Sequence, residues 1–123
     1  MIYLNRLSYV IQLHGLIYDS FYKDQSIDKY FRDDISKKSF MNDRDKAMYV
    51  TNQVIESIFD LARINKKLNL FEVKKESDGK PIGFLVVTDQ LKLVYSFGIF
   101  PKHRKEYSKE FIDLIKKAYP NYQ

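Results

Sequence analysis

The chain has no cysteine and no tryptophan, and only four glycines, three prolines and two histidines among 123 residues. Without cysteine there are no disulfides, no thiolate nucleophile and no Cys-based zinc or iron–sulfur site. His14 and His103 are too far apart in sequence to suggest a metal cluster. Gly/Ser/Pro linkers, repeats and low-complexity tracts are missing, which implies one domain spanning 1–123. No apolar run is long enough to span a bilayer. The N-terminus lacks the charged, apolar and small-residue regions of an export signal, so a soluble protein not secreted by a signal peptide is expected. P-loop, dinucleotide, Gly-x-Ser-x-Gly and HExxH patterns are also missing.

What is abundant is aromatic and basic. Ten Tyr and nine Phe supply core-forming bulk, and 21 Lys and Arg against 16 Asp and Glu give a net charge of +5. That balance permits nucleic acid or an anionic ligand, although scattered lysines equally make a solvated surface. The richness in Lys, Ile, Asn, Tyr and Phe is what an AT-rich bacterial or phage genome encodes.

Along the chain, Ile2-Tyr3-Leu4 starts a short strand. Leu7, Val10, Ile11, His14, Ile17, Tyr18 and Phe21 fall at helical steps, placing His14 on an apolar stripe as a buried histidine. Ser26 caps a short helix presenting Ile27, Tyr30, Phe31 and Ile35, and a break is expected near Ser39–Asn42. Asn42 or Asp43 caps the longest helix, with Ala47, Met48, Val54, Ile55, Ile58, Phe59 and Ala62 on one face and Asn65-Lys66-Lys67 closing it. The period then changes to that of strands: Leu70 to Lys75, Pro81 to Val87 and Leu91 to Phe100. The reversals at Asp78-Gly79 and Thr88-Asp89-Gln90 join them as an antiparallel meander.

In the last strand Leu91, Leu93, Tyr95, Phe97 and Ile99 alternate with smaller residues, predicting one apolar face, and Gly98 predicts a bulge or a close approach. A final helix buries Tyr107, Phe111, Leu114, Ile115 and Ala118. The class is α+β: N-terminal helices, a three-stranded antiparallel meander and a C-terminal helix.

Gly79-Lys-Pro-Ile-Gly-Phe-Leu-Val-Val87, Leu93-Val-Tyr-Ser-Phe-Gly-Ile-Phe-Pro101 and the basic helix start after it resemble the middle of a GNAT acyl-CoA N-acetyltransferase. Lys102 to Pro120 is similar to a phage branch, the GNAT-like family associated with an internal virion protein of T7-type phages. The resemblance covers the second half of the chain. It implies a virion or bacterial host cytoplasm as the location, and a last strand splayed from its neighbour at Gly98 to pair with pantetheine. It also implies an Arg/Gln-x-x-Gly-x-Gly/Ala elbow, in which small residues let backbone N–H groups close on pyrophosphate. Counting from Arg104, those positions hold Tyr107 and Lys109. Leu91 to Phe100 carries no acid to serve as a base, and the chain stops after the elbow helix, before the tyrosine and strands that complete the family's groove.

The leading expectation is therefore a truncated, non-catalytic GNAT-like accessory or virion-associated protein with no cofactor. Its unpaired strand edge at 91–100 would bind a protein partner or a second copy, with Leu93, Tyr95, Phe97, Ile99 and Tyr107 at the interface. The enzyme alternative is a minimal acetyl-CoA-dependent N-acetyltransferase, with Ile99 and Phe100 on pantetheine and Arg104 and Lys105 on phosphate. The third reading is a nucleic-acid-binding or host-inhibitory protein using Lys102, Arg104, Lys105 and Lys109. His103 is expected to be exposed.

Overall fold

The computed structural model describes residues 1–24, 42–64 and 68–123. Its elements run β1 (Ile2–Leu7), a 3-10 turn (Val10–Leu13), α1 (His14–Phe21), α2 (Asp43–Ile64), β2 (Leu68–Lys75), β3 (Pro81–Thr88), β4 (Leu93–Ile99) and α3 (Pro101–Ala118). The helix at 26–35, the break near Ser39 and the closing Asn65-Lys66-Lys67 lie outside the described residues. The class is α+β as expected, but the sheet has four strands in the order β1-β2-β3-β4, all antiparallel.

The extra strand is Ile2-Tyr3-Leu4, which continues to Leu7 because Leu7 pairs with Leu70. That pairing delays the first helix: Leu7 is in the sheet, and α1 begins only at His14. Asn42 caps α2 by accepting the Asp45 N–H on Oδ1 at 2.8 Å, a bond of the kind that stabilises a helix start by about 1 kcal/mol. Gly79, with φ of 68°, closes the β2–β3 turn; its N–H donates to the Lys75 carbonyl at 2.9 Å.

The helices cover both faces of the sheet. On one face the 3-10 turn, α1 and α2 pack Leu13, Ile17, Val50, Val54 and Ile58 against Leu70, Phe84 and Val86. On the other, α3 sets Phe111 and Ile115 against Val73, Leu85, Val87 and Ile99. Consequently β3 is buried on both sides from Ile82 onward, and each of its large side chains contributes roughly 1.5–3 kcal/mol.

Burial on the helices differs from the expected stripes. Met48 and Phe59 are exposed while Val50 and Thr51 are buried. On α3, Ala118 is exposed and Tyr107 and Leu114 are half-buried.

The single apolar face expected for the last strand does not form. The β3–β4 register jumps between Val86↔Ser96 and Val87↔Val94, leaving Tyr95 as an extra residue. A bulge of this kind reverses the phase of the pleat. Val94 packs on the α3 side, Tyr95 on the α1–α2 side, and Ile99 again under α3. Leu91 is not in the strand at all; it sits exposed in the preceding turn.

Candidate functional site

β4 is an edge strand, and a cleft opens on its outer side. The first rungs are occupied. The Gln123 N–H donates to the Lys92 carbonyl at 3.1 Å and the Val94 N–H donates to the Gln123 carbonyl at 3.3 Å, the pattern of a parallel bridge about Leu93. This tail is held from the side. The Tyr122 hydroxyl donates to Asp89 Oδ1 at 2.6 Å, Asn69 donates to the other Asp89 oxygen at 2.8 Å, and Arg6 donates to Asn69. The bond to Asp89, aided by desolvation, pushes the Tyr122 hydroxyl up to about 12. The expected fully open edge over 91–100 is therefore open only beyond Val94.

From Phe97 onward no strand among the described residues pairs with the outer side of β4. The Phe100 N–H bonds inward to the Ile82 carbonyl at 2.7 Å, so by alternation the main-chain groups of Phe97 and Ile99 face outward. They open into a cleft of about 270 Å³. One wall is the end of α1, with Ser20 and Phe21; the other is α3, with Ser108, Phe111 and Ile112. Gly98 makes the floor. A Cβ there would meet the Phe84 ring at 3.0 Å and Ser20 Cβ at 3.3 Å, so the expected close approach is present, while the bulge lies at Tyr95 instead. The splay expected between β3 and β4 is absent, since Phe84↔Gly98 and Gly83↔Ile99 remain paired. The cleft is on the other side of β4.

Arg104 closes one end of this cleft. Its Nε donates to the Ile99 carbonyl at 2.8 Å, and Nη2 donates to the Ser20 carbonyl at 2.7 Å and to Asp24 Oδ2 at 2.9 Å. The guanidinium thus ties three segments together: the end of α1, the end of β4 and the first turn of α3. Its guanidinium pairs with Asp24, which is 9% exposed, while Lys105, expected beside it on phosphate, faces solvent.

The other expected site residues scatter. Ile99 is buried under α3, and Phe100 packs on the opposite face. Leu93 and Tyr95 are half-buried, and Tyr107 lies beside His103, with ring centroids 6.1 Å apart. Of the five interface residues only Phe97 shows an exposed side chain, set edge-on against Phe111 at 5.9 Å.

His103 is half-buried rather than exposed, and desolvation together with Lys75 and Lys102 lowers its pKa. His14 is only half-buried; it lines a surface cleft with Tyr18, Arg44 and Asp45. Sequence reasoning missed Ser20, Asp24 and Ser108, which carry no motif and become site residues only because helix ends meet a strand edge. Lys102 and Lys109 are exposed on α3. No family model, curated protein or solved structure matches this chain.

Proposed function

We propose that this chain is a non-catalytic GNAT-like binding component that takes one extended segment of a protein partner along the recessed edge of β4. The observation that carries this reading is the outward-facing main chain of Phe97 at the bottom of a cleft walled by α1 and α3. An added strand gains affinity from such main-chain bonds and specificity from the alternate side chains that meet the walls. At about 270 Å³ the cleft accommodates only a short stretch of chain. The walls also select the partner's shape. A single extended strand is narrow enough to reach the floor between them.

The element order, with a helical pair between β1 and a β2–β4 meander and a helix straight after β4, supports the GNAT-like reading. The absence of catalysis rests on three features. β4 carries no acid, Arg104 is turned inward, and Tyr107 and Lys109 occupy positions where close backbone approach to a pyrophosphate requires small residues. The phage accessory or virion role follows from the sequence resemblance.

The test is selection of peptides from a random extended-peptide library, mapped by amide chemical shifts. Selected peptides are expected to perturb Phe97, Gly98 and Ile99 and to lose binding in Ser108→Phe, an exposed wall position from which the ring covers the cleft. Peptides that map elsewhere sink the edge-binding reading. Saturable micromolar binding of acetyl-CoA in a calorimeter replaces it with the acetyltransferase alternative.

A further inference from the structure

The solvent face of α3 carries a feature that the cleft does not use. At 100° per residue, Lys102, Lys105, Lys109 and Lys116 fall within about 60° of one another, and the row is about 21 Å long. All four are exposed. Lys102 and Lys105 stand at the positive end of the helix dipole, where cations cost stability, and the first turn holds no acid to offset them. Glu106 and Asp113 flank the row on one side, and Asp113 trims the charge between Lys109 and Lys116.

A second, separate feature lies at the start of the row. Tyr22, Phe100 and Pro101 line a surface cleft of about 430 Å³, bordered by Lys23 and Lys102, with Asp19 also on its wall. The Lys23 ammonium sits 5.6 Å from the centroid of the Tyr22 ring. A rigid line of cations that ends in an aromatic, lysine-edged cleft matches a chain with evenly spaced phosphates and flat bases.

We propose that this face binds single-stranded nucleic acid, with phosphates along Lys102, Lys105, Lys109 and Lys116 and one base in the cleft between Tyr22 and Phe100. A membrane surface is the poorer fit, because the apolar side of α3, with Phe111 and Ile115, is packed on the sheet and has no apolar face to lay into lipid. A duplex supplies the phosphates but no free base for the cleft. The row borders the α3 wall of the β4 cleft, where Ser108 and Ile112 sit one turn from Lys105 and Lys109, but the two proposals use different groups: lysine side chains and an aromatic cleft here, strand main chain there.

The experiment is fluorescence anisotropy with a labelled oligo-uridine 20-mer and a duplex of equal length, at 50 and 200 mM NaCl. With three to four phosphates engaged, single-strand affinity falls about 20- to 50-fold over that range. K105Q/K109Q flattens the salt dependence by about two contacts. Y22A weakens the single strand by about tenfold at unchanged salt slope and leaves the duplex unaffected. K46Q/K92Q removes the same charge off the row and leaves binding close to the parent. Circular dichroism checks that each variant is folded.

Three results would overturn the proposal: no saturable binding of the single strand at 50 mM salt, duplex bound as tightly as single strand, or equal loss in K46Q/K92Q.

Discussion

Replacing Gly83 with alanine tests how tightly β3 and β4 are joined behind the cleft. A Cβ at Gly83 would press into the Gly98 carbonyl oxygen and lie 3.2 Å from both the Gly98 carbonyl carbon and Ile99 Cα. All three neighbours are main chain, so no rotamer change relieves the overlap and the two strands must separate locally. Overpacking of a buried site costs about 1–3 kcal/mol. Two weakened ladder bonds add about 1 kcal/mol each, and the stiffer unfolded chain returns about 0.4–1 kcal/mol. The net expectation is a loss of about 3 kcal/mol, a large share of the roughly 5–15 kcal/mol that holds a domain together. Urea unfolding with linear extrapolation reads it. Gly15→Ala is the control, because a Cβ in α1 meets nothing within 4 Å and should gain about 0.5 kcal/mol. If Gly83→Ala unfolds within 1 kcal/mol of the parent, the strand contact argued from the geometry is wrong.

Arg104→Met removes the guanidinium from Asp24, Ser20 and Ile99. With Arg104 itself about a third exposed, the expected loss is about 2 kcal/mol in urea unfolding, below that of a fully buried pair. Lys23 holds a φ of 58° just after α1, and Lys23→Gly should raise stability by about 1 kcal/mol by removing the left-handed penalty. His103 has its pKa lowered by desolvation and by Lys75 and Lys102. The unfolded chain therefore takes up this proton first, so the stability tied to neutral His103 is fully present above pH 6.5 and is lost as pH falls from there through the lower folded-state pKa. A proton NMR titration should place its midpoint below 6.5, and Lys75→Gln should raise it; an unmoved midpoint rules out the Lys75 contribution.

The architecture was legible because the strongest signals are local. Asp78-Gly79 is a turn that needs a left-handed residue, Pro101 suits the first turn of a helix, and the strand-period runs at 70–75 and 81–87 fall inside β2 and β3. β1 was half visible. Ile2-Tyr3-Leu4 has strand character, but Leu7 satisfies both a helical stripe and a strand, and only its pairing with Leu70 decides. Which helical residues are buried was less legible, since Met48 and Val50 differ in hydrophobicity far less than in the direction they face.

The site was legible in place and not in detail, and the bulge at Tyr95 explains most of the gap. With helices on both faces, β4 needs apolar residues on each side, which erases the polar alternation that would have fixed its phase. One inserted residue then sends Tyr95 to the α1–α2 side while Phe97 stands against Phe111 of α3 and Ile99 lies under that helix. The apolar list read from sequence is thus split between two cores, and the open edge is left with main-chain groups and serines that no pattern marks. The lysines show the same effect on a helix. The doublet Lys116-Lys117 stands out by eye, yet neighbours in sequence point 100° apart. It is the three- and four-residue spacing of Lys102, Lys105 and Lys109, continued at Lys116, that puts charge on one line, and that spacing acquires meaning only once α3 is known to face solvent there.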